Sequence, residues 1–380
     1  MSAQRESNGS ARVLVIEDGQ FRSVATPAEL GGLNSLGGGY RQPEPPDTVP
    51  DSLGRATAAP SLASSSASSR PEIYLTIDAE DDYFTVPRML TGEGLGDEFG
   101  AYGILDILDR HDLRATWFIN VYEAHRHEDP TTVERLVRAI DERGHEIALH
   151  THPSEDLEMY ARPLYWFDAD QQKTILGYGA ELIEKWTGRA PVSFRAGGYV
   201  LNDETFEALG SLGFRVDSSV FFSSKNNRIT PFTVNAVRMR GRVVEVPVTY
   251  VPRVQSDGNI DHRKFDVNWL TGDELDRVVD RVSEFGISQA MFMMHSFSFI
   301  DKASLKEDEP GTERAIYRSP PLRSRFVEIY GPNREVRERF DRFAASISKD
   351  DRIQVKTLAA AADDLEHRAS EPRPDVVPIV

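Results

Sequence analysis

Residues 73–83, which read IYLTIDAEDDY, constrain the fold of this chain more than any other segment. The first five residues are apolar or β-favouring and lack the alternation of a half-exposed strand. They therefore predict a strand buried on both faces, as in a parallel sheet that is covered by helices. Four acids follow within five positions, namely Asp78, Glu80, Asp81 and Asp82.

These acids stand at the carboxyl end of the predicted strand, where barrels and open α/β sheets place their ligand sites. Carboxylates packed into one turn repel each other unless a cation or a proton is shared among them. Two interpretations follow, a cation-binding carboxylate cluster and a solvated acidic loop.

The composition limits the function classes. The 380 residues carry a formal net charge of -17, which disfavours nucleic-acid binding through general phosphate contacts. The chain has no cysteine, so disulfides, thiolate catalysis and Cys-ligated zinc are excluded, and a metal site must use His and carboxylates.

No apolar run in the sequence reaches the about 18 residues that a transmembrane helix needs. Residues 1–10 lack the apolar core of a secretion signal. We therefore expect no membrane span and a cytoplasmic location.

The chain divides into three regions that differ in composition and in their strand and helix patterns. Residues 1–70 are rich in Gly, Pro, Ser and Ala and predict an N-terminal extension, partly linker or poorly ordered, with one short strand at 13–16 that could join a sheet edge. Residues 71–368 alternate strand and helix patterns in roughly seven or eight pairs, which predicts a complete or incomplete barrel. A doubly wound open sheet is the alternative. Residues 369–380 form a tail.

Within 71–368 the pattern assigns individual elements. The predicted strands are 73–77, 115–119, 146–149, 191–194, 214–216, 242–248, 290–294 and 353–356. The predicted helices are 104–110, 131–140, 168–186, 203–212, 271–285, 335–347 and 359–368.

The segment GHEIALHTHP at 144–153 provides imidazoles at the end of a second strand. Side chains at positions i and i+2 of a strand point to the same side, so His150 and His152 can face one ion. Imidazole is the usual nitrogen ligand of zinc and related ions. His145 precedes the strand, and we assign it a packing or capping role.

Three further strand ends carry polar residues. Arg195 precedes two glycines and can keep a carboxylate ionised, or can form an ordinary rim salt bridge. Asp217 ends another strand within VDSS. His295 ends the apolar strand MFMMH and is either a general acid or a core histidine that is bonded to backbone.

In sequence order, TIDAED, LHTHP, FRAGGY, VDSS and MMHS resemble the motifs of the polysaccharide deacetylase family (NodB-homology domain, carbohydrate esterase family 4). The resemblance extends over about residues 72–364. Two features depart from the usual motifs. H-x-H replaces H-x-x-x-H, whose second ligand would fall on Ser154, and D-x-E-D replaces an Asp pair. The H-x-H spacing is similar to that of a divergent branch related to lipopolysaccharide-biosynthesis deacetylases.

The resemblance implies a distorted (β/α)7-type barrel, a divalent metal with zinc as the expected ion, and hydrolysis of an N-acetyl group. It also implies roles for individual residues. Asp78 would be the general base, Glu80 the carboxylate ligand with Asp81 as its rival, His150 and His152 the imidazole ligands, Arg195 the group that orients Asp78, and Asp217 the partner of the acid His295.

The leading hypothesis is a metal-dependent hydrolase that deacetylates an N-acylated sugar or a related small molecule. A natural-product tailoring C–N hydrolase and a catalytically degenerate carbohydrate-binding barrel are the alternatives. Residues 301–333 lack clear periodicity and contain three prolines, so they predict either a lid over the site or a surface insertion. The sequence leaves the exact substrate and the oligomeric state open.

Overall fold

The computed structural model describes residues 70–81, 89–93, 95–126, 130–153, 162–229, 235–254, 260–284, 287–301 and 331–370, together with strands at 13–17 and 20–24. Most of the predicted extension, nearly all of the candidate lid and most of the tail lie outside the described residues. The same is true of Asp82.

Secondary structure alternates along most of the described chain. The strands are β1 (Val13–Glu17), β2 (Gln20–Val24), β3 (Glu72–Ala79), β4 (Thr116–Asn120), β5 (Glu146–Thr151), β6 (Ser193–Ala196), β7 (Leu201–Asn202), β8 (Val216–Asp217), β9 (Asn227–Arg228), β10 (Arg238–Arg240), β11 (Val243–Glu245), β12 (Tyr250–Val254), β13 (Ile260–Lys264), β14 (Gln289–His295), β15 (Ile300–Asp301), β16 (Gly331–Pro332) and β17 (Gln354–Lys356). The α-helices are α1 (Ala101–Arg110), α2 (Glu123–Arg126), α3 (Pro130–Glu142), α4 (Ala169–Thr187), α5 (Asp203–Ser211), α6 (Gly272–Glu284), α7 (Arg334–Ile347) and α8 (Leu358–Ser370).

Seven parallel strands form the central sheet, in the order β14, β3, β4, β5, β6, β8 and β11. β10 pairs antiparallel with β11 at one edge, and β17 pairs with the first residues of β3. Among the described residues no pairing joins β14 to β10 or β11. The sheet is therefore a curled, incomplete barrel, and the predicted (β/α)7-type architecture is confirmed.

β3 is the second strand from the β14 edge of this sheet, and all eight of its residues are buried. Because side chains alternate along a strand, Ile73, Leu75 and Ile77 pack in the large core cluster that also contains residues of the helices α1, α3 and α4. Tyr74 points the other way and packs with Leu358 of α8. Thr76 and Asp78 lie on the same face of β3 as Tyr74. This face leads from the second cluster to the carboxyl end of the sheet.

The predicted elements agree with the structure to within a few residues at most boundaries, but one prediction fails and several short elements were not predicted. The strand at 13–16 pairs with β2, and in the described residues it does not extend the central sheet. The hairpin formed by β12 and β13 was not predicted at all.

Candidate metal centre

Three buried side chains at the carboxyl ends of β3 and β5 converge at one edge of the sheet. Glu80 Oε2 lies 2.7 Å from His152 Nε2 and 3.3 Å from His150 Nε2. The two Nε2 atoms are 3.1 Å apart. Ligand atoms of a tetrahedral zinc site with bonds of about 2.0–2.1 Å lie about 3.3 Å from each other. The three atoms lie at or slightly within this separation, close enough for one divalent ion to contact all of them.

The imidazole of His150 is oriented for this purpose. Its Nδ1 donates a hydrogen bond to the carbonyl oxygen of Arg195 at 2.8 Å, which leaves the lone pair on Nε2. Burial alone raises the pKa of the Glu80 carboxyl, but His152 and His150 hold that pKa well below its usual range. The cluster thus consists of an ionised carboxylate and imidazole nitrogens, a donor set that fits a zinc-like ion.

Gly197 makes room for the second imidazole. A Cβ on this residue would lie 2.2 Å from Nε2 of His152, so a larger residue cannot occupy the position without moving the ring. The neighbouring Gly198 has φ of +58°, in the left-handed region. The two glycines after Arg195 therefore allow the loop after β6 to pass directly beside the cluster.

A buried ion pair stands next to the three ligands. Arg195 Nη1 donates to Asp78 Oδ1 at 2.6 Å. The guanidinium also donates to the carbonyl oxygen of Ser218 at 2.9 Å and lies over the ring of Phe118, 4.2 Å from its centroid. Burial raises the pKa of Asp78, but the charges of Arg195, His150 and His295 together outweigh it, so the pKa is lowered. Asp78 is therefore an ionised carboxylate in a fixed orientation.

His295 is the neighbour of Asp78 on the adjacent strand. The two residues pair in the parallel register of β14 and β3, and His295 Nε2 lies 3.7 Å from Glu80 Oε1. The ring stacks on Phe297 with centroids 4.8 Å apart. Burial lowers the pKa of His295, and the charges of Asp78 and Glu80 act in the opposite direction. The structure thus brings His295 to the cluster.

Asp81 and Asp217 occupy different places. Asp81 Oδ1 accepts a hydrogen bond from the backbone N–H of Leu90 at 2.7 Å, and Asp81 is absent from the group of candidate ligands. Asp217 accepts hydrogen bonds from the backbone N–H and the hydroxyl of Ser219 at 3.0 and 2.6 Å. Burial raises the pKa of Asp217 to about 6. In the described part of the chain Asp217 makes no hydrogen bond or ion pair with His295, so the predicted pairing is not formed.

Two residues near the centre were missed by the sequence analysis. Asp266 forms a parallel bridge with Met293, two residues before His295, and its negative charge raises the pKa of His295. Lys264 lies at the end of β13 with its ammonium 3.9 Å from Asp266 Oδ2. The segment KFDVNW carries the only available signal, two charged residues among aromatic ones.

The parallel sheet and the buried Glu–His–His cluster define this protein as an α/β barrel with a candidate metal centre. A family model described as polysaccharide deacetylase matches residues 66–216. This region is therefore related to polysaccharide deacetylases, as the sequence motifs predicted.

Two sequence relatives agree with this relationship. The chain is 36% identical over 123 residues to a peptidoglycan deacetylase-like protein of Gibberella zeae. This match covers 32% of each of the two chains. It is 29% identical over 137 residues to a peptidoglycan deacetylase of Helicobacter pylori, covering 36% of this chain and 41% of that one. The chain thus matches less than half the length of these relatives. A solved structure of a Mycobacterium smegmatis protein assigned to the polysaccharide deacetylases has a TM-score of 0.49 at 21% identity and covers 85% of this chain and 99% of its own.

None of the helices in the described residues is both long enough and apolar enough to cross a membrane.

Proposed function

We propose that this protein is a metal-dependent hydrolase that removes an acetyl or other acyl group from the nitrogen of an N-acylated sugar or a related small molecule. The observation that carries the proposal is the convergence of Glu80, His150 and His152 beside the Asp78–Arg195 pair. The relation to polysaccharide deacetylases supports an amide of an N-acetylated sugar as the bond that is cleaved.

Glu80, His150 and His152 would hold the ion. A divalent ion bound there would lower the pKa of a bound water to about 7 and polarise the amide carbonyl. Two residues of the site carry out the proton transfers. Asp78, kept ionised by Arg195, accepts the proton of the attacking water. His295, which pairs with Asp78 across the two strands, donates a proton to the leaving nitrogen.

The test combines metal content with product formation. The purified full-length protein is loaded with zinc, its metal content is measured by elemental analysis, and acetate release is followed with a panel of N-acetylated sugars. We expect stoichiometric metal and acetate release. Asp78→Asn should retain the metal and lose about 10²–10⁴-fold in turnover, because it removes the proton acceptor.

Near-normal turnover of Asp78→Asn would refute the assigned base. A zinc-loaded protein that releases no acetate from any sugar of the panel would contradict sugar deacetylation, and would favour the carbohydrate-binding barrel or a different amide substrate. The metal identity, the substrate and the cytoplasmic location remain predictions.

A further inference from the structure

Lys264 is a buried cation with few partners. The residue is 6% exposed, and its Nζ donates a hydrogen bond to the hydroxyl oxygen of Tyr199 at 3.1 Å. That hydroxyl in turn donates to Met293 Sδ at 3.0 Å. Asp266 Oδ2, at 3.9 Å from Nζ, is beyond hydrogen-bond distance. Within the described residues, the ammonium group therefore has acceptors for one of its three hydrogens.

Aromatic rings surround this ammonium group. Nζ lies 4.7 Å from the ring centroid of Trp269, 5.3 Å from that of Tyr199 and 6.0 Å from that of Phe221. Trp269 is 40% exposed, the most exposed of the large hydrophobic side chains in the described residues. Burial of an ammonium is costly unless an anion or hydrogen-bond acceptors compensate it. The site is thus a desolvated cation beneath an aromatic ring that reaches the surface.

This cation lies next to the candidate metal centre. Tyr199 is in the loop after β6 that passes beside His152, and Asp266 bridges to β14 just before His295. The charges interact as well, since Lys264 lowers the pKa of His295. A substrate whose amide reaches the metal centre would therefore bring its neighbouring substituents towards Lys264 and Trp269.

We propose that Lys264 determines substrate specificity by binding an anionic substituent, a carboxylate or a phosphate, of the N-acylated substrate. The inference rests on the proposed deacetylase function and names its substrate class. The unused N–H groups would donate hydrogen bonds to the oxygens of the anion, and Trp269 offers an apolar surface to the adjoining sugar ring. Lysine recognises an anion as a point charge, so the structure favours neither anion over the other.

A simpler role for Lys264 would be to balance the charge of Asp266. The distance of 3.9 Å makes this ion pair a loose one. If balance were its whole role, removal of the ammonium would change stability without changing the preference between neutral and anionic ligands. The experiment is designed on that difference.

Binding to the zinc-loaded full-length protein is measured by calorimetry with three probes. N-acetylglucosamine is neutral, N-acetylmuramic acid carries a carboxylate and N-acetylglucosamine 1-phosphate carries a phosphate. We expect at least one anionic probe to bind about tenfold or more tightly than the neutral one, because hydrogen bonds to charged groups are stronger than neutral ones. The probe that shows the preference identifies the anion.

Lys264→Met and Lys264→Gln should abolish this preference and leave binding of the neutral probe unchanged, whereas Lys264→Arg should keep most of it. Lys349→Met, which removes an exposed lysine after α7, is the matched control and should behave as the wild type. Thermal unfolding of each variant shows whether it is folded. Because Lys264 is replaced by both Met and Gln, the test still works if one of the two variants does not fold.

Equal affinity of the wild type for all three probes would overturn the proposal. It would also be overturned if Lys264→Met and Lys264→Gln both fold and each loses the same factor of affinity for all three probes. Acetate release is measured in parallel with the same probes. Acetate release without any preference for the anionic probes would contradict this inference but not the proposed deacetylase function. A Lys264-dependent preference without release from any probe would instead contradict the proposed deacetylase function and leave anion binding in place.

Discussion

Arg195 connects the candidate base to a candidate metal ligand. Its side chain donates to Asp78 Oδ1 at 2.6 Å, and its carbonyl oxygen accepts from His150 Nδ1 at 2.8 Å. The guanidinium holds the carboxylate, while the backbone fixes the imidazole. A single residue at the end of β6 thus places both groups relative to each other.

The first prediction concerns stability. Arg195→Met leaves the buried Asp78 carboxylate without its partner, so we expect the free energy of unfolding to fall by about 3–5 kcal/mol. Urea denaturation measures this change. The double variant Arg195→Met/Asp78→Asn should recover part of the loss, because no uncompensated charge remains. Arg138→Met, which breaks an exposed ion pair with Glu134, should cost at most about 1 kcal/mol. Equal losses in the two arginine variants would contradict the importance of the buried pair.

The second prediction concerns the space beside His152. Gly197→Ala places a methyl group where the imidazole lies, so zinc affinity should fall about 10–100-fold, as when other supports of a metal ligand are removed. Gly198→Ala is the control. Its Cβ would meet nothing closer than 3.7 Å, and its φ of +58° costs about 1–2 kcal/mol of stability without affecting zinc. Competition with a chromophoric chelator measures both affinities, and identical affinities would rule out the proposed packing.

The third prediction is a pH dependence. His145 is 3% exposed, and its Nδ1 accepts a hydrogen bond from the backbone N–H of Ala115 at 3.1 Å. Burial, assisted by the positive charge of Arg114, lowers the pKa of His145 to about 4. An unfolded histidine has a pKa of about 6.5, so between these values the unfolded chain binds more protons than the folded one. Stability should therefore fall as the pH is lowered from about 6.5 to about 4, by up to about 3 kcal/mol.

His145→Asn keeps an acceptor near Ala115 and cannot be protonated. Urea unfolding at pH 7, 6 and 5 should therefore show a smaller loss of stability in this variant than in the wild type. The same slope in both proteins would show that His145 does not titrate as its burial implies.

The sequence predicted the strands and the residues at their ends because both depend on local patterns. Buried parallel strands such as β3 and β14 are continuous apolar runs, and parallel strands place all their carboxyl ends at one edge. Asp78, His150 and Arg195 therefore meet in the fold as expected. The alternation of side chains also separates Glu80, two positions after Asp78, from Asp81, which points to Leu90.

Features that depend on the curvature of the sheet could not be read from the sequence. Asp217 on β8 and His295 on β14 both end strands, but four strands lie between them in the sheet order, and no local pattern shows whether curvature brings them together. The hairpin β12–β13 was missed because it contains Pro252 and the polar run IDHRK, which lack the apolar pattern of a buried strand. Lys264 and Asp266 were overlooked with it.

The most direct test of the account is the zinc content of Glu80→Gln and Asp81→Asn, compared with the wild type, after loading and dialysis of the full-length protein. The geometry predicts one zinc per chain in the wild type and in Asp81→Asn, and a loss of zinc in Glu80→Gln. Zinc that is retained in Glu80→Gln and lost in Asp81→Asn would contradict the Glu80–His150–His152 centre, as would a wild-type chain that binds no divalent ion.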